Sequence, residues 1–335
     1  MAQSVTGRRP IVAVTTATLR RLAAIGFTVW LVASLTFVAV ALVPGSYADA
    51  IDHPRMTPAA RDEVRARLGL DQPIFEQYLR WLKSIATGNL GSSYVTRRPV
   101  TEVLARALPP TLILTASALA IDLVLGLWLA ILAVRRHDSV LDRTLSVLGL
   151  GLYGLPSFWV AGIAVMVFAV GLGWFPASHT HDVGASSWPW FVRFLDLLHH
   201  LALPAACLGL VGAAGTARYL RSTLVEAHTS RYVLAARARG LPEWRILWLH
   251  ALRPALGPVV TLLGLSLPFL VGGSVVIETI FAWPGMGRVL LTAAQARDVP
   301  VIMAVTLVGA IAVSIGSHVA DLLYGLVDPR ARTHE

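Results

Sequence analysis

Six stretches of this chain are apolar and long enough to cross a lipid bilayer, and no other feature restricts the fold so tightly. They cover residues 22–43, 111–134, 144–170, 201–217, 259–281 and 299–320, the fourth being short and read as continuing a turn at either end. Lipid offers no hydrogen bonds to backbone N–H and C=O groups, so runs of about 20 apolar residues cross it as helices. Composition agrees. The 335 residues are 56% hydrophobic and 14% charged, where a soluble domain carries about 25% charged residues. The expected fold class is an all-α polytopic membrane protein with six transmembrane helices. A soluble enzyme and a disordered regulator are excluded as first readings.

Charge placement orients the spans. Lys and Arg total 28 against 19 Asp and Glu, a net charge of +9, and Lys83 is the single lysine. Sixteen arginines fall on one side: Arg8, Arg9, Arg20 and Arg21, then Arg135, Arg136 and Arg143, seven between Arg218 and Arg253, and Arg330 and Arg332. The opposite short loops hold only Arg193, Arg288 and Arg297. Loop 44–108 holds the remainder, but loops longer than about 60 residues weigh little in the positive-inside rule. Both termini are therefore expected in the cytoplasm and loop 44–108 outside, in a cell membrane. The same rule accounts for the basic balance without nucleic acid. Trp174, Phe175 and Trp283 close spans three and five, where amphipathic rings prefer the interface. The first stretch lacks a small-residue cleavage pattern and reads as a span, not a removed signal. A lone Cys207 allows no intrachain disulfide and no cysteine metal cluster.

The expected organisation is a cytoplasmic segment 1–21, a first span 22–43, and an outer loop 44–108. A core of five spans follows over 109–327, then a tail 328–335. In the outer loop, Thr57-Pro58 can start a helix that Gly69 stops, and Ile74, Tyr78, Trp81 or Leu82, and Ile85 mark a second amphipathic helix ended by Gly88. Two readings fit: a lid on the bundle, or a docking surface for an external protein. In the cytoplasmic loop 218–258, Ser230 can cap a helix over residues 231–239, Gly240 can end it, and Pro242 can open a second over 243–252. Ala235, Ala236 and Ala238 allow close approach by a partner and the arginines can meet its acids. Binding to anionic lipid fits the same pattern. No nucleotide site is present. Gln77 and Leu82 stand where the phosphate-cradling glycines would have to precede Lys83-Ser84.

Polar and small residues inside the spans carry the remaining signals. Asp122 lies in span two, as a proton or cation site or as a carboxyl hydrogen-bonded to a neighbouring helix. Span three carries Gly151, Gly154, Pro156 and Ser157, and span five carries Gly264, Ser266, Pro268, Gly272, Gly273 and Ser274. Such residues loosen a helix where it lines a cavity, and they also serve ordinary close packing. Ala205, Gly209, Ala213 and Ala217 form a small-residue stripe suited to a helix contact, within the bundle or with a second subunit. His179, His181, Asp182, His199 and His200 are metal-ligand types in an outer loop. Scattered loop histidines are more often solvated, so no metal is assigned. No catalytic pattern such as G-x-S-x-G or H-E-x-x-H occurs, so the chain is not read as an enzyme.

The run Arg231-Tyr232-Val233-Leu234-Ala235-Ala236-Arg237-Ala238-Arg239-Gly240-Leu241 resembles the cytoplasmic loop of ABC importer permeases. More narrowly, the chain resembles the dipeptide/oligopeptide/nickel permeases, closest to the first permease of peptide importers. The outer-loop runs 67–73 and 88–94, Pro156-Ser157-Phe158-Trp159, Gly173-Trp174-Phe175-Pro176, residues 278–288, residues 297–300, and Asp321 to Tyr324 with Asp328-Pro329-Arg330 carry it. The departures are Leu234, where the general pattern often has Glu, and Asn89 in place of a more usual Asp. The resemblance implies a type I ABC importer permease fold in a bacterial inner membrane. It also implies a second permease subunit, two ATPase subunits or domains, and an extracytoplasmic binding protein delivering short peptides. ATP and Mg would sit on the ATPases, with no cofactor on this chain, and membrane lipid would surround it. Tyr232, Ala235, Ala236, Arg237, Arg239, Gly240 and Leu241 would couple to an ATPase. Pro156, Ser157, Ser266, Pro268, Gly272, Gly273 and Ser274 are the path-lining candidates. Glu278, Trp283, Pro284 and Gly285 are the outer-gate or docking candidates. Import of nickel, glutathione or another solute by the same machinery is the first alternative. An ATP-independent carrier using Asp122, or a scaffold that transports nothing, are those of another class.

Overall fold

The computed structural model describes residues 9–42, 59, 63, 66, 69, 71–257, 259 and 274–327, with side chains from 23 to 319. Among them there is no strand, only an isolated bridge between Ser92 and Pro99. Three helices are long and apolar enough to cross a membrane over most of their length: α1 (Arg9–Leu42, from Ala23), α3 (Val100–Arg135) and α6 (Trp190–His228). The helix after Asp298, α11 (Val299–Val327), is the fourth. Residues 260–273, most of the expected fifth span, lie outside the described residues, as does most of the first outer helix.

The expected third span is not one rod. α4 (Val140–Gly154) and α5 (Ser157–Ala164), which a π-helical segment Val165–Gly171 extends, meet at 102°. The cause is local. Pro156 has no N–H to give, and its ring pushes the preceding residue out of the helical region. Leu155 is accordingly extended, at φ −80° and ψ 139°. A hydropathy run passes through such a residue without registering it.

The chain divides into two units. One holds residues 1–100 and 293–315. In it, α2 (Ile74–Ala86) starts after Pro73, and Gly88 follows it at φ +75°. α2 packs on α1: the Tyr78 and Ser34 hydroxyls are 2.7 Å apart, and the Phe37 ring lies 5.2 Å from Tyr78 and 5.7 Å from Trp81. Ile74, Phe75 and Leu79 stay exposed.

The other unit holds residues 101–292 and 316–335. α3 and α6 cross at near-backbone distance. A Cβ on Gly209 would come within 2.7 Å of Ile121 and 2.8 Å of the Ala118 carbonyl, and one on Gly126 within 2.8 Å of Thr216. The small-residue stripe thus serves a contact inside the bundle. Among the described residues, two apolar clusters lie in this unit. One gathers Leu114, Leu201, Cys207, Ile277, Phe281 and Trp283. The other gathers Val134, Leu220, Leu224, Val233, Ala236, Ile246 and Leu252. Asp142 at the start of α4 is buried and holds Arg221 of α6 through two bonds of 2.6 and 2.7 Å.

Candidate functional site

The loop expected in the cytoplasm folds as a helix, a tight turn and a second helix. α7 (Arg231–Ala238) starts after Ser230, whose hydroxyl donates to the Ala227 carbonyl instead of capping α7. At the other end the Gly240 N–H bonds to the Arg237 carbonyl at 2.8 Å and the Leu241 N–H to the Ala236 carbonyl at 3.3 Å. Those two bonds are the Schellman closure, which needs a left-handed residue after the helix. Gly240 supplies it at φ +74°. α8 (Glu243–Arg245) then opens after Pro242 and runs through a π-helical segment Ile246–Ala251 into helical residues 252–257. This is longer than the ten residues expected.

α7 has two faces. Val233 and Ala236 are buried in the inner cluster, and half-buried Leu241 packs beside them. Of the expected coupling residues, Ala236 and Leu241 are therefore the anchor. Tyr232, Ala235, Arg237, Arg239 and Gly240 are exposed. Across the turn, the Arg237 guanidinium donates to Glu243 at 2.8 and 3.3 Å. That bond holds the Glu243 carboxyl below its ordinary range and raises Arg237. The pair fixes the angle of the turn more than it adds stability, since exposed pairs contribute about 1 kcal/mol or less. Leu234 and Trp244 extend the exposed surface. Sequence reasoning missed both as site residues, although Leu234 was visible as a departure from the acidic residue of the general pattern.

The path-lining candidates divide. Pro156 stands exposed at the α4–α5 corner with Ser157 half-buried beside it. Ser266, Pro268, Gly272 and Gly273 lie outside the described residues. Ser274 caps α9 (Val275–Ile280), its hydroxyl accepting from the Ile277 N–H at 3.4 Å. Asp122 on α3 is half-buried against α6, where Thr216 stands beside it and a Cβ on Gly212 would lie 2.7 Å from its carboxyl. One carboxyl oxygen of Asp122 makes no hydrogen bond.

The outer-gate candidates form a knot. Glu278 is fully buried. One carboxyl oxygen accepts from the Thr111 hydroxyl and the other from the Arg288 N–H, each at 2.9 Å. The Thr111 oxygen in turn accepts from the Met286 N–H at 2.7 Å, at the start of α10 (Met286–Gln295). Trp283 is buried too, its indole N–H donating to the Pro110 carbonyl at 2.8 Å. Gly285 must be glycine, because a Cβ there would lie 2.5 Å from the Glu278 carboxyl. Of the four candidates only Pro284 is exposed. Glu278, Trp283 and Gly285 are buried inside the knot.

In the first unit, Asp298 does similar work. Its carboxylate accepts the Ser93 hydroxyl at 2.5 Å and the Tyr94 N–H at 3.0 Å. Burial, with Asp298 beside it, pushes the Tyr94 phenol up to about 12. Neither tie was legible as a pair, because Ser93 and Asp298 are 205 residues apart and Thr111 and Glu278 are 167 apart.

Residues 122–333 match the family described as binding-protein-dependent transport system inner membrane component, and residues 15–115 match its N-terminal companion. The chain belongs to this family. The oligopeptide transport system permease protein AppB of Bacillus subtilis is 37% identical over 88% of this permease and 92% of its own length. The di/tripeptide permease protein DppB of Pseudomonas aeruginosa is 37% identical over 93% and 97%. The glutathione permease protein GsiC of Escherichia coli is 35% identical over 94% and 98%. Among solved structures, the inward-facing MetNI methionine ABC transporter aligns with a TM-score of 0.51 at 20% identity, covering 68% of this permease and 96% of that chain. At that identity it speaks for the fold alone, an ABC importer permease. The protein is thus an ABC transporter permease subunit and a multi-pass protein of the bacterial inner membrane.

Proposed function

We propose that this permease imports short peptides, forming the translocation path with a second permease subunit. Two separate ATPase subunits or domains would drive it, and an extracytoplasmic binding protein would deliver the solute. The observation that carries the coupling role is the α7 turn. A helix anchored by Val233 and Ala236 presents Tyr232, Ala235, Arg239 and Leu234 outward. An anchored, exposed helix of mixed apolar and basic character suits a groove on a protein better than a lipid surface, which needs one continuous apolar face. The chain has no phosphate-cradling G-x-x-x-x-G-K-[ST] run, so ATP and Mg belong on the partner chains.

The bent corner at Pro156 and Ser157 supports the path assignment there. Interrupted helices are tolerated at membrane depth only where protein or a water-filled cavity meets them. Peptide as solute rests on the names of AppB and DppB. The glutathione relative keeps a γ-linked tripeptide within the same chemistry. The test is reconstitution of the assembly in proteoliposomes with its loaded binding protein. ATP-driven uptake of labelled di- and oligopeptides is expected. Uptake of nickel or another solute, with none of peptide, would overturn the peptide assignment and leave the permease assignment standing.

A further inference from the structure

α6 has 39 residues, about 58 Å at 1.5 Å per residue, while the hydrocarbon core of a bilayer is about 30 Å thick. The helix therefore overhangs the core, and on the expected topology its N-terminal turns stand on the outer side, where Asp196 and His200 sit one turn apart on one face. Both are buried. The loop before α6 wraps round them. The Asp196 carboxylate accepts the Asp182 N–H at 3.2 Å and lies 2.7 Å from His181 Nδ1. His200 Nδ1 lies 2.9 Å from the Asp196 main-chain carbonyl and 3.2 Å from the Asp196 carboxylate, both of them acceptors. A carbonyl only accepts, so Nδ1 carries the proton and the lone pair is on Nε2.

That Nε2 faces the Asp182 carboxylate at 3.7 Å. The gap is too long for a hydrogen bond. It fits two donors on one ion: ligands about 2.1 Å from a metal, at tetrahedral to trigonal angles, stand roughly 3.4 to 3.6 Å apart. With either ring nitrogen of His200 counted, a donor atom from each of Asp182, Asp196 and His200 lies within 4.8 Å of the other two. We propose that Asp182, Asp196 and His200 bind a divalent transition metal of the Zn(II) class, which staples the outer loop to the start of α6. An imidazole nitrogen in the set favours such a borderline cation over Mg(II) or Ca(II), which take oxygen ligands. Asp182, with its side chain 65% exposed, is the door through which the ion enters and water completes its shell. His181, oriented by Asp196, stands beside the site. His199 Nε2 is taken by the Trp174 carbonyl at 2.8 Å.

The full chain, purified in detergent on a tag without histidine and stripped with chelator, is titrated with Co(II) as the optical probe and then with Zn(II) as competitor. One equivalent of Co(II) per chain is expected, with the visible absorption of a four-coordinate site that Zn(II) abolishes, and Zn(II) should raise the melting temperature. His200→Ala and Asp182→Asn should each weaken binding at least about tenfold and remove the stabilisation, while His179→Ala should change neither. Asp182 is exposed, so its variant reports even where His200→Ala fails to fold. Absence of a saturable Co(II) band, or equal binding in all variants, overturns the site and leaves a His–Asp hydrogen-bond network.

Discussion

Gly240 answers to a backbone demand alone. A Cβ placed on it meets nothing within 4 Å, so no clash forbids a side chain there. What excludes other residues is the left-handed conformation at φ +74°, which costs an L-residue about 1–2 kcal/mol and is least accessible to β-branched side chains. Gly240→Ala should therefore leave the turn strained but closed, with near-normal uptake. Gly240→Val should open the Schellman closure and tilt α7, leaving the chain in the membrane and bound to its partners. In proteoliposomes, ATP hydrolysis would then continue while uptake falls severalfold or more. Normal uptake by the valine variant would sink the coupling assignment of α7. The Arg237–Glu243 bond should resist the change at neutral pH. Glu243 is held below its ordinary range, so the pair's contribution is present above that range and lost only as acid protonates the carboxyl.

Elements in this permease are set partly by local chemistry and partly by contacts that no local signal announces. The crossing of α3 and α6 depends on Gly209, whose missing side chain lets Ile121 and the Ala118 carbonyl approach. Gly209→Ala places a methyl against backbone, which cannot give way, and should cost about 1–3 kcal/mol. Gly151→Ala on α4 meets nothing within 4 Å and should be neutral or slightly stabilising through helix propensity. Melting of the two variants in detergent separates the effects; equal melting would mean the α3–α6 contact is looser than 2.7 Å requires. Sequence could foresee that small residues mark a helix contact, and that Gly88 and Gly240 end helices, because those signals act within a turn of themselves. It could not choose between a contact inside the bundle and one with a second subunit. The break at Leu155–Pro156 was legible only as a loosening at Pro156, because the apolar run is continuous and hydropathy does not sense a lost N–H. The carboxylates of Glu278 and Asp298 were legible as motif residues, but their partners Thr111 and Ser93 lie too far away in the chain for spacing to find them.

At the scale of the whole molecule, the energy source discriminates between the assignments. A carrier driven by protons needs an acid that changes partners as the path opens and closes, and Asp122 is the intramembrane candidate within a described span. Its surroundings are a helix crossing: Thr216 stands beside it and Gly212 makes room for it. An acid lodged at a close crossing is poorly placed to exchange ions with two sides of the membrane. α7, by contrast, offers an exposed patch of Tyr232, Leu234 and Trp244 beside arginines, and apolar groups exposed on a water-facing loop mark a protein contact. Nucleotide acting through that contact can shift the permease between states only as far as it binds them differently. Uptake should therefore require ATP, persist when a protonophore collapses the gradient at constant internal ATP, and survive Asp122→Asn with less than about a twofold loss beyond any change in the amount of assembled complex. Collapse of uptake under the protonophore, together with its loss in the Asp122→Asn variant, would transfer the driving force from α7 to Asp122.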